Sequence, residues 1–166
     1  IWFANTTLGT CLDYYIPCIP VLAAFTIAYS FGEGMGRLAC ISFGCCYGKP
    51  LSRSHSLMQR FFRNNHFMFS GETKKIAYEG GLNGVKVIPI QAITAVLYIT
   101  TGIVGILFFL KSYYITAFVL TMTVTQLWRS LSEMFRADYR GGGRISAYQI
   151  MAIVSIIYSL GIVSFL

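Results

Sequence analysis

The chain has 166 residues, of which 55% are hydrophobic and 16% aromatic, while only 11% are charged and the formal net charge is +7. Soluble domains carry about 25% charged residues, and a chain this apolar and aromatic is neither a disordered segment nor a water-soluble nucleic-acid domain, whatever its basic balance suggests. The composition is that of an integral membrane protein.

The chain opens at Ile1 without the basic start of a signal peptide, and the expectation is a C-terminal portion of something longer or a reduced relative of it. An uncharged run from Tyr14 to Gly32 predicts a first helix over 14–47, long enough for the ~20 residues a bilayer crossing needs. The stretch from Lys49 to Lys86 is too polar to span. It carries Lys49, Arg53, Arg60, Arg63, Lys74, Lys75 and Lys86, and its turn sequences at 70–72 and 79–81 predict a small head region of short surface segments over 49–86. Further apolar runs predict helices over 87–110, 112–136 and 145–166, the middle one extending past Trp128 if its charged residues face inward. The expected architecture is all-α, a single polytopic membrane domain of about four spanning helices over 1–166 with a small extramembrane head. The head loop and the basic turn through Arg136, Arg140 and Arg144 lie on one side and Lys111 on the other, so the positive-inside rule alone makes the head side cytoplasmic.

Several polar residues sit where a bilayer makes them costly. Arg37 lies between Gly32-Glu33-Gly34-Met35-Gly36 and the apolar Leu38 to Phe43, and an unpaired Arg at a helix centre costs roughly 2.5 to 3.5 kcal/mol on insertion scales. It reads either as an anion site for a lipid phosphate, with Gly36 allowing close approach, or as a structural partner of Glu33 four residues earlier. Gln126, Arg129, Glu133, Arg136 and Arg140 recur at spacings of three and four and predict one helical stripe, with Arg129 and Glu133 pairing at i, i+4. Guanidiniums converging from two helices can clamp a phosphate, although a basic helix end snorkelling to anionic lipid explains Arg140 and Arg144 equally well. Gln91, after Pro89 at a helix start, needs a partner, either a substrate or a neighbouring element.

Cys11, Cys18, Cys40, Cys45 and Cys46 imply no disulfide framework. A zinc site built from Cys40, Cys45, Cys46, His55 and His66 lacks the paired spacing of structural sites, and adjacent Cys45 and Cys46 are expected to point apart, so no metal and no other cofactor is expected. A nucleophilic Cys46 stabilised by Arg37 is conceivable chemically, but no base stands beside it in the sequence.

The segment from Gly36 to Lys49 (GRLACISFGCCYGK) resembles the signature of the prolipoprotein diacylglyceryl transferase family, in which Gly-Arg leads into a Gly-x-x-x-Gly ending and a basic residue. Arg129-x-x-x-Glu133-x-x-Arg136, followed by a basic turn and a last helix through Ser146 and Gln149, resembles its Arg-x-x-x-Glu-x-x-Arg segment, and Pro89-Ile90-Gln91 its Pro-x-Gln core. The resemblance covers nearly the whole chain. It implies the last four of the family's seven membrane helices, with the head on the extracytoplasmic face of a bacterial inner membrane, against the simple charge count. It implies transfer of diacylglyceryl from phosphatidylglycerol to the cysteine thiol of a lipoprotein precursor, with release of glycerol phosphate. Arg37, Arg129, Glu133 and Arg136 would form the catalytic set, and Gly36, Cys40, Gly44, Gly48, Gln91 and Gln126 would contact substrate. Cys40 and Cys45 stand where many members have Asn and Glu, and Ile88, Ile93 and Thr94 replace the family's His, Tyr and Glu. Those departures keep two other readings open, a transferase with a different acceptor and a non-catalytic subunit that binds anionic lipid.

Overall fold

The computed structural model describes residues 16–137 and 146–164. Helix α1 (Cys18–Phe43) starts after Pro17 and ends on Gly44, whose φ of 62° lets its own N–H and that of Cys45 return to the carbonyls of Cys40 and Ile41. The head follows as a 3-10 turn (Leu51–Arg53), the short helix α2 (Ser56–Phe61), strand β1 (Phe67–Met68), the single-turn α3 (Lys75–Tyr78) and strand β2 (Lys86–Val87). The two strands are antiparallel, with Phe67 opposite Val87 and Met68 opposite Lys86. Then come α4 (Ile90–Leu110), α5 (Tyr114–Ser132), a 3-10 turn (Glu133–Phe135) and α6 (Ala147–Ser164).

Helices α1, α4 and α5 pack mutually, and α6 lies against α5. Small residues bring the first three together. A Cβ on Gly34 would stand 3.0 Å from Ile99 on α4, one on Gly102 would stand 2.8 Å from the Phe31 ring, and one on Gly105 would stand 2.6 Å from Thr121 on α5. Thr121 also donates a hydrogen bond to Thr26 across the α1–α5 interface at 2.8 Å. Small side chains and hydroxyl bonds are how helices associate where lipid removes the hydrophobic drive. The outer faces carry Phe25, Val96, Ile103, Leu107, Ile115, Ile153 and Ile157, all exposed.

The four helical runs are present, with shifted ends. Two of the helices, α1 and α4, are long and apolar enough to cross a membrane among the described residues. The apolar part of α6, Ala147–Ile162, is shorter, and α5 is interrupted by threonines and Gln126. The first helix stops at Phe43 instead of 47 because Gly44 caps it, and the helix expected over 112–136 stops at Ser132 because the chain tightens to a 3-10 turn and then extends at Arg136. The stripe expected through Arg136 is therefore broken after Arg129. Arg140 and Arg144 lie outside the described residues.

The head is more than a set of surface segments. Tyr47, Phe69, Ile76 and Val87 form one buried cluster, and Leu51, Phe62 and Ile88 form another with Ile93 of α4 and Phe135 packed against it. Between them the extended segment after α1 is hydrogen-bonded along both edges. On one edge Pro50 bridges Val87, and the Ile88 N–H donates to Lys49 O at 3.1 Å. On the other edge Gly48 bridges Arg136, Lys49 N–H donates to Phe135 O at 2.8 Å, and Ala137 N–H donates to Tyr47 O at 3.1 Å.

Gly48 is the tight point of this ladder, since a Cβ there would lie 2.3 Å from Ile88 O. Backbone cannot yield as a side chain does, so Gly48→Ala should destabilise the protein by about 1–3 kcal/mol. Gly36, where a Cβ meets nothing within 4 Å, should accept Ala with a gain of up to ~1 kcal/mol from helix propensity. Thermal unfolding of the two variants in detergent checks the contrast, and equal midpoints would contradict the packing described.

Candidate functional site

Two ion pairs lie within the helical region or just past it. On α1, Tyr29, Glu33 and Arg37 follow one another at spacings of four and so share a face. Arg37 Nη2 donates to Glu33 Oε2 at 3.0 Å in an ion pair whose members are 17% and 31% exposed. Past the end of α5, Arg136 lies 3.9 Å from Glu133, and both side chains are buried. Each buried cation thus has a carboxylate near it, which lowers the cost of holding it in low dielectric.

Arg37 and Arg136 come together on the walls of one narrow cleft with Cys46, Ile90, Gln91, Thr94 and Ser132. Gln91 is 1% exposed. Its Nε2 donates to Cys45 O at 2.9 Å, while its Oε1 is buried without a partner among the described residues. Such an orphaned acceptor in a cleft walled by two guanidiniums suits a ligand that brings hydroxyl donors along with an anion. The cleft holds only about 10 Å³ of open volume, room for about one water.

Arg129 is placed elsewhere than the clamp expected from sequence. Its Nη1 donates to the Tyr29 hydroxyl at 2.7 Å, and its guanidinium lies over the Tyr148 ring at 5.2 Å, between α1 and α6. The expected Arg129–Glu133 pair at i, i+4 is replaced by Glu133–Arg136, because the helix has tightened by Glu133. The pair of arginines that shares a cleft is accordingly Arg37 with Arg136.

The other sequence candidates are dispersed. Gly36 is exposed on α1, Gly44 caps that helix against Lys74 and Ile76, and Gly48 packs on Ile88. Gln126 is buried on α5. Cys40 lies 3.8 Å from Cys46, sulfur to sulfur. The sequence reading missed Tyr29 and Ser132. The spacing of Tyr29 to Glu33 and Arg37 was available as a signal, whereas Ser132 carried none.

An apolar cleft of about 310 Å³ adjoins the polar one, and Ile90 lines both. Met58, Phe61 and Phe62 of the head close one side of it, and Ile88, Ile93, Trp128 and Phe135 close the other. The Trp128 indole N–H donates at 2.9 Å to Thr94 Oγ1, which belongs to the polar cleft. The site is therefore bipartite, cationic at one end and fully apolar at the other.

The sequence pattern of prolipoprotein diacylglyceryl transferases matches residues 2–165. The chain belongs to the prolipoprotein diacylglyceryl transferase family. No curated protein and no solved structure matches it. Membership makes the chain a membrane transferase of the diacylglyceryl type, and a cleft with one cationic and one apolar end is what a family handling diacylglyceryl groups requires.

Cys46 lies just beyond α1 in the polar cleft. Burial opposes its ionisation, but the guanidiniums of Arg136, which also hydrogen-bonds it, and of Arg37 outweigh burial and hold the thiol below its ordinary range. A lowered thiol is thiolate at a pH where ordinary thiols are protonated, so Cys46 should alkylate with a pH midpoint below the usual value of about 8.5. Arg136→Gln and Arg37→Gln should each move that midpoint upward. Iodoacetamide rates resolved by peptide mass, in chelator, measure it, and a midpoint insensitive to both substitutions would contradict the assignment.

Proposed function

We propose that the protein transfers the diacylglyceryl unit of phosphatidylglycerol to the cysteine thiol of a lipoprotein precursor and releases glycerol phosphate. The observation that carries this reading is the bipartite cleft, in which Arg37 and Arg136 suit the phosphodiester and the apolar cavity beside Ile90 suits an acyl chain. Gln91 Oε1 would accept from a headgroup hydroxyl. The thiol sulfur attacks the glycerol carbon that carries the phosphate, an S–C bond forms as the C–O bond breaks, the thiol proton is released, and the electron pair leaves on the phosphate oxygen. Two positioned guanidiniums stabilise the charge that grows there. Glu33 and Glu133 keep those guanidiniums aimed, and Arg129, held by Tyr29 and Tyr148, adds positive charge between α1 and α6.

In this reading four helices span a bacterial inner membrane and the head faces away from the cytoplasm. The buried Arg136 serves an anionic lipid in this reading and so drops out of the charge count that sets topology, and the orientation follows the family rather than that count. Ser70 is exposed on the head. In a background without other cysteines, Ser70→Cys should react with an impermeant maleimide in intact inner-membrane spheroplasts, and protection until lysis would reverse the orientation.

The full chain in phosphatidylglycerol proteoliposomes, given a lipobox peptide, should produce glycerol phosphate and a diacylglyceryl-modified peptide in equal amounts. Arg37→Ala and Arg136→Ala should each lower kcat by about 10²–10³-fold, the cost of removing one preorganised donor to a developing anion. The Lys variants should recover only part of this, since a point charge does not reproduce the planar fork. Tight lipid binding with no glycerol phosphate released would overturn the transferase reading, and wild-type kcat in either Ala variant would overturn the assignment of the clamp.

A further inference from the structure

The proposed transfer leaves unused a group of three thiols at the end of α1. Cys45 and Cys46 are adjacent in sequence, where side chains ordinarily diverge, yet the chain reverses here through two left-handed residues, Gly44 at φ 62° and Cys46 at φ 55°. The result is that the Sγ atoms of Cys40, Cys45 and Cys46 all lie within 4.8 Å of one another, with Cys40 and Cys46 at 3.8 Å. Thiolates bound at about 2.3 Å to one metal ion stand about 3.8 Å apart in a tetrahedron and about 4.0 Å apart in a trigonal plane. The observed spread needs to close by well under an ångström per ligand.

The arrangement is held by its surroundings. Cys40 sits in the last turn of α1, Cys45 N–H donates to Cys40 O at 3.1 Å, and the buried Gln91 of α4 donates to Cys45 O at 2.9 Å. The three residues are half-buried, which shields a metal from bulk water while leaving a path of entry. Three thiolates around one ion leave net negative charge, and Cys46 shares its cleft with Arg37 and Arg136, whose positive charge offsets it. No carboxylate or imidazole joins the cluster among the described residues, so the donor set is all sulfur and selects soft ions over calcium, magnesium or manganese.

We propose that Cys40, Cys45 and Cys46 form a three-thiolate site for one soft metal ion, either zinc with water as its fourth ligand or monovalent copper in a trigonal sulfur plane. The site borders the transfer cleft through Cys46, and its thiols take no part in the proposed bond-making. Binding releases the thiol protons and forms three metal–sulfur bonds without change of oxidation state.

The test uses the reduced full chain in detergent, with Cys11→Ser and Cys18→Ser so that the three are its only thiols. Zn(II), Cd(II) and Cu(I) are added separately, and retained metal is measured after desalting. The expected result is one ion per chain, thiolate-to-Cd(II) charge-transfer absorption, and an affinity that falls at least about tenfold, as it does even for loss of an outer partner, in each of Cys40→Ser, Cys45→Ser and Cys46→Ser. A Cu(I) complex that zinc cannot displace identifies the trigonal copper site, and retention of Zn(II) alone identifies the zinc site. Without any of those three variants, bound metal should protect all three thiols together from alkylation. Failure of every metal to be retained, retention unchanged in the three Ser variants, or protection of fewer than three thiols would each overturn the proposal.

Discussion

Everything around the cleft depends on the close approach of three backbone segments at Gly48. The strand-like stretch Tyr47–Pro50 bonds to the head through Val87 and Ile88 and to the end of α5 through Phe135, Arg136 and Ala137. With 2.3 Å between a Cβ at Gly48 and Ile88 O, the segments meet at a distance that only glycine allows. Pulling Arg136 into this ladder forces the chain out of helix after Ser132 and sets its guanidinium in the cleft opposite Arg37. The same ladder carries Ile88 to the start of α4, where Gln91 and Thr94 complete the polar wall. One run of main-chain hydrogen bonds thus couples the head to the bundle and fixes both arginines.

Charge in the helical region follows a consistent rule. Glu33 accompanies Arg37, Glu133 accompanies Arg136, and Arg129 has a phenol and an aromatic face. Such partners hold a cation without cancelling its attraction for an anion, since a guanidinium has five N–H donors and a carboxylate takes up only one edge of it. The Gln91 oxygen departs from the rule as a buried acceptor left without a donor. In the proposed reading a donor-bearing headgroup would supply that partner, which an anion with no hydroxyls would not.

Hydrophobic periodicity made the helical runs legible, because a run of uncharged residues is a statement about solvent that does not depend on partners. Helix ends were less so. The first ends early at Gly44, for which a Gly followed by a Cys pair offers only a weak signal, and α5 ends where the Gly48 ladder overrides an intact i, i+4 pattern of charges. Arg37, Arg136 and Gln91 were readable as costly polar groups in an apolar setting, and they do meet. Which arginine faces Arg37 was not readable, since that is decided by a bridge between residues 48 and 136, far apart in sequence. The convergence of Cys45 with Cys46 was hidden for a similar reason, because it depends on a left-handed φ at a non-glycine residue that only tertiary contacts impose.

The two halves of the cleft also constrain each other. Ile90 is the first residue of α4 and forms part of both walls, so a shift of that helix start opens or closes the cationic and the apolar ends together. Thr94, one turn on, accepts the Trp128 N–H from the apolar side while its own hydroxyl donates to Ile90 O at 2.7 Å. A headgroup that spreads the guanidiniums must press on this start of α4, and an acyl chain seated against Ile90, Ile93 and Trp128 presses on the same turn from the other side. In the proposed reading, phosphate and chain would both bear on one helix terminus, and a ligand presenting only one of the two would meet only one wall of it. An amphipathic lipid, with both groups at fixed separation, is the chemistry that such coupling favours over a free phosphate or a free fatty acid.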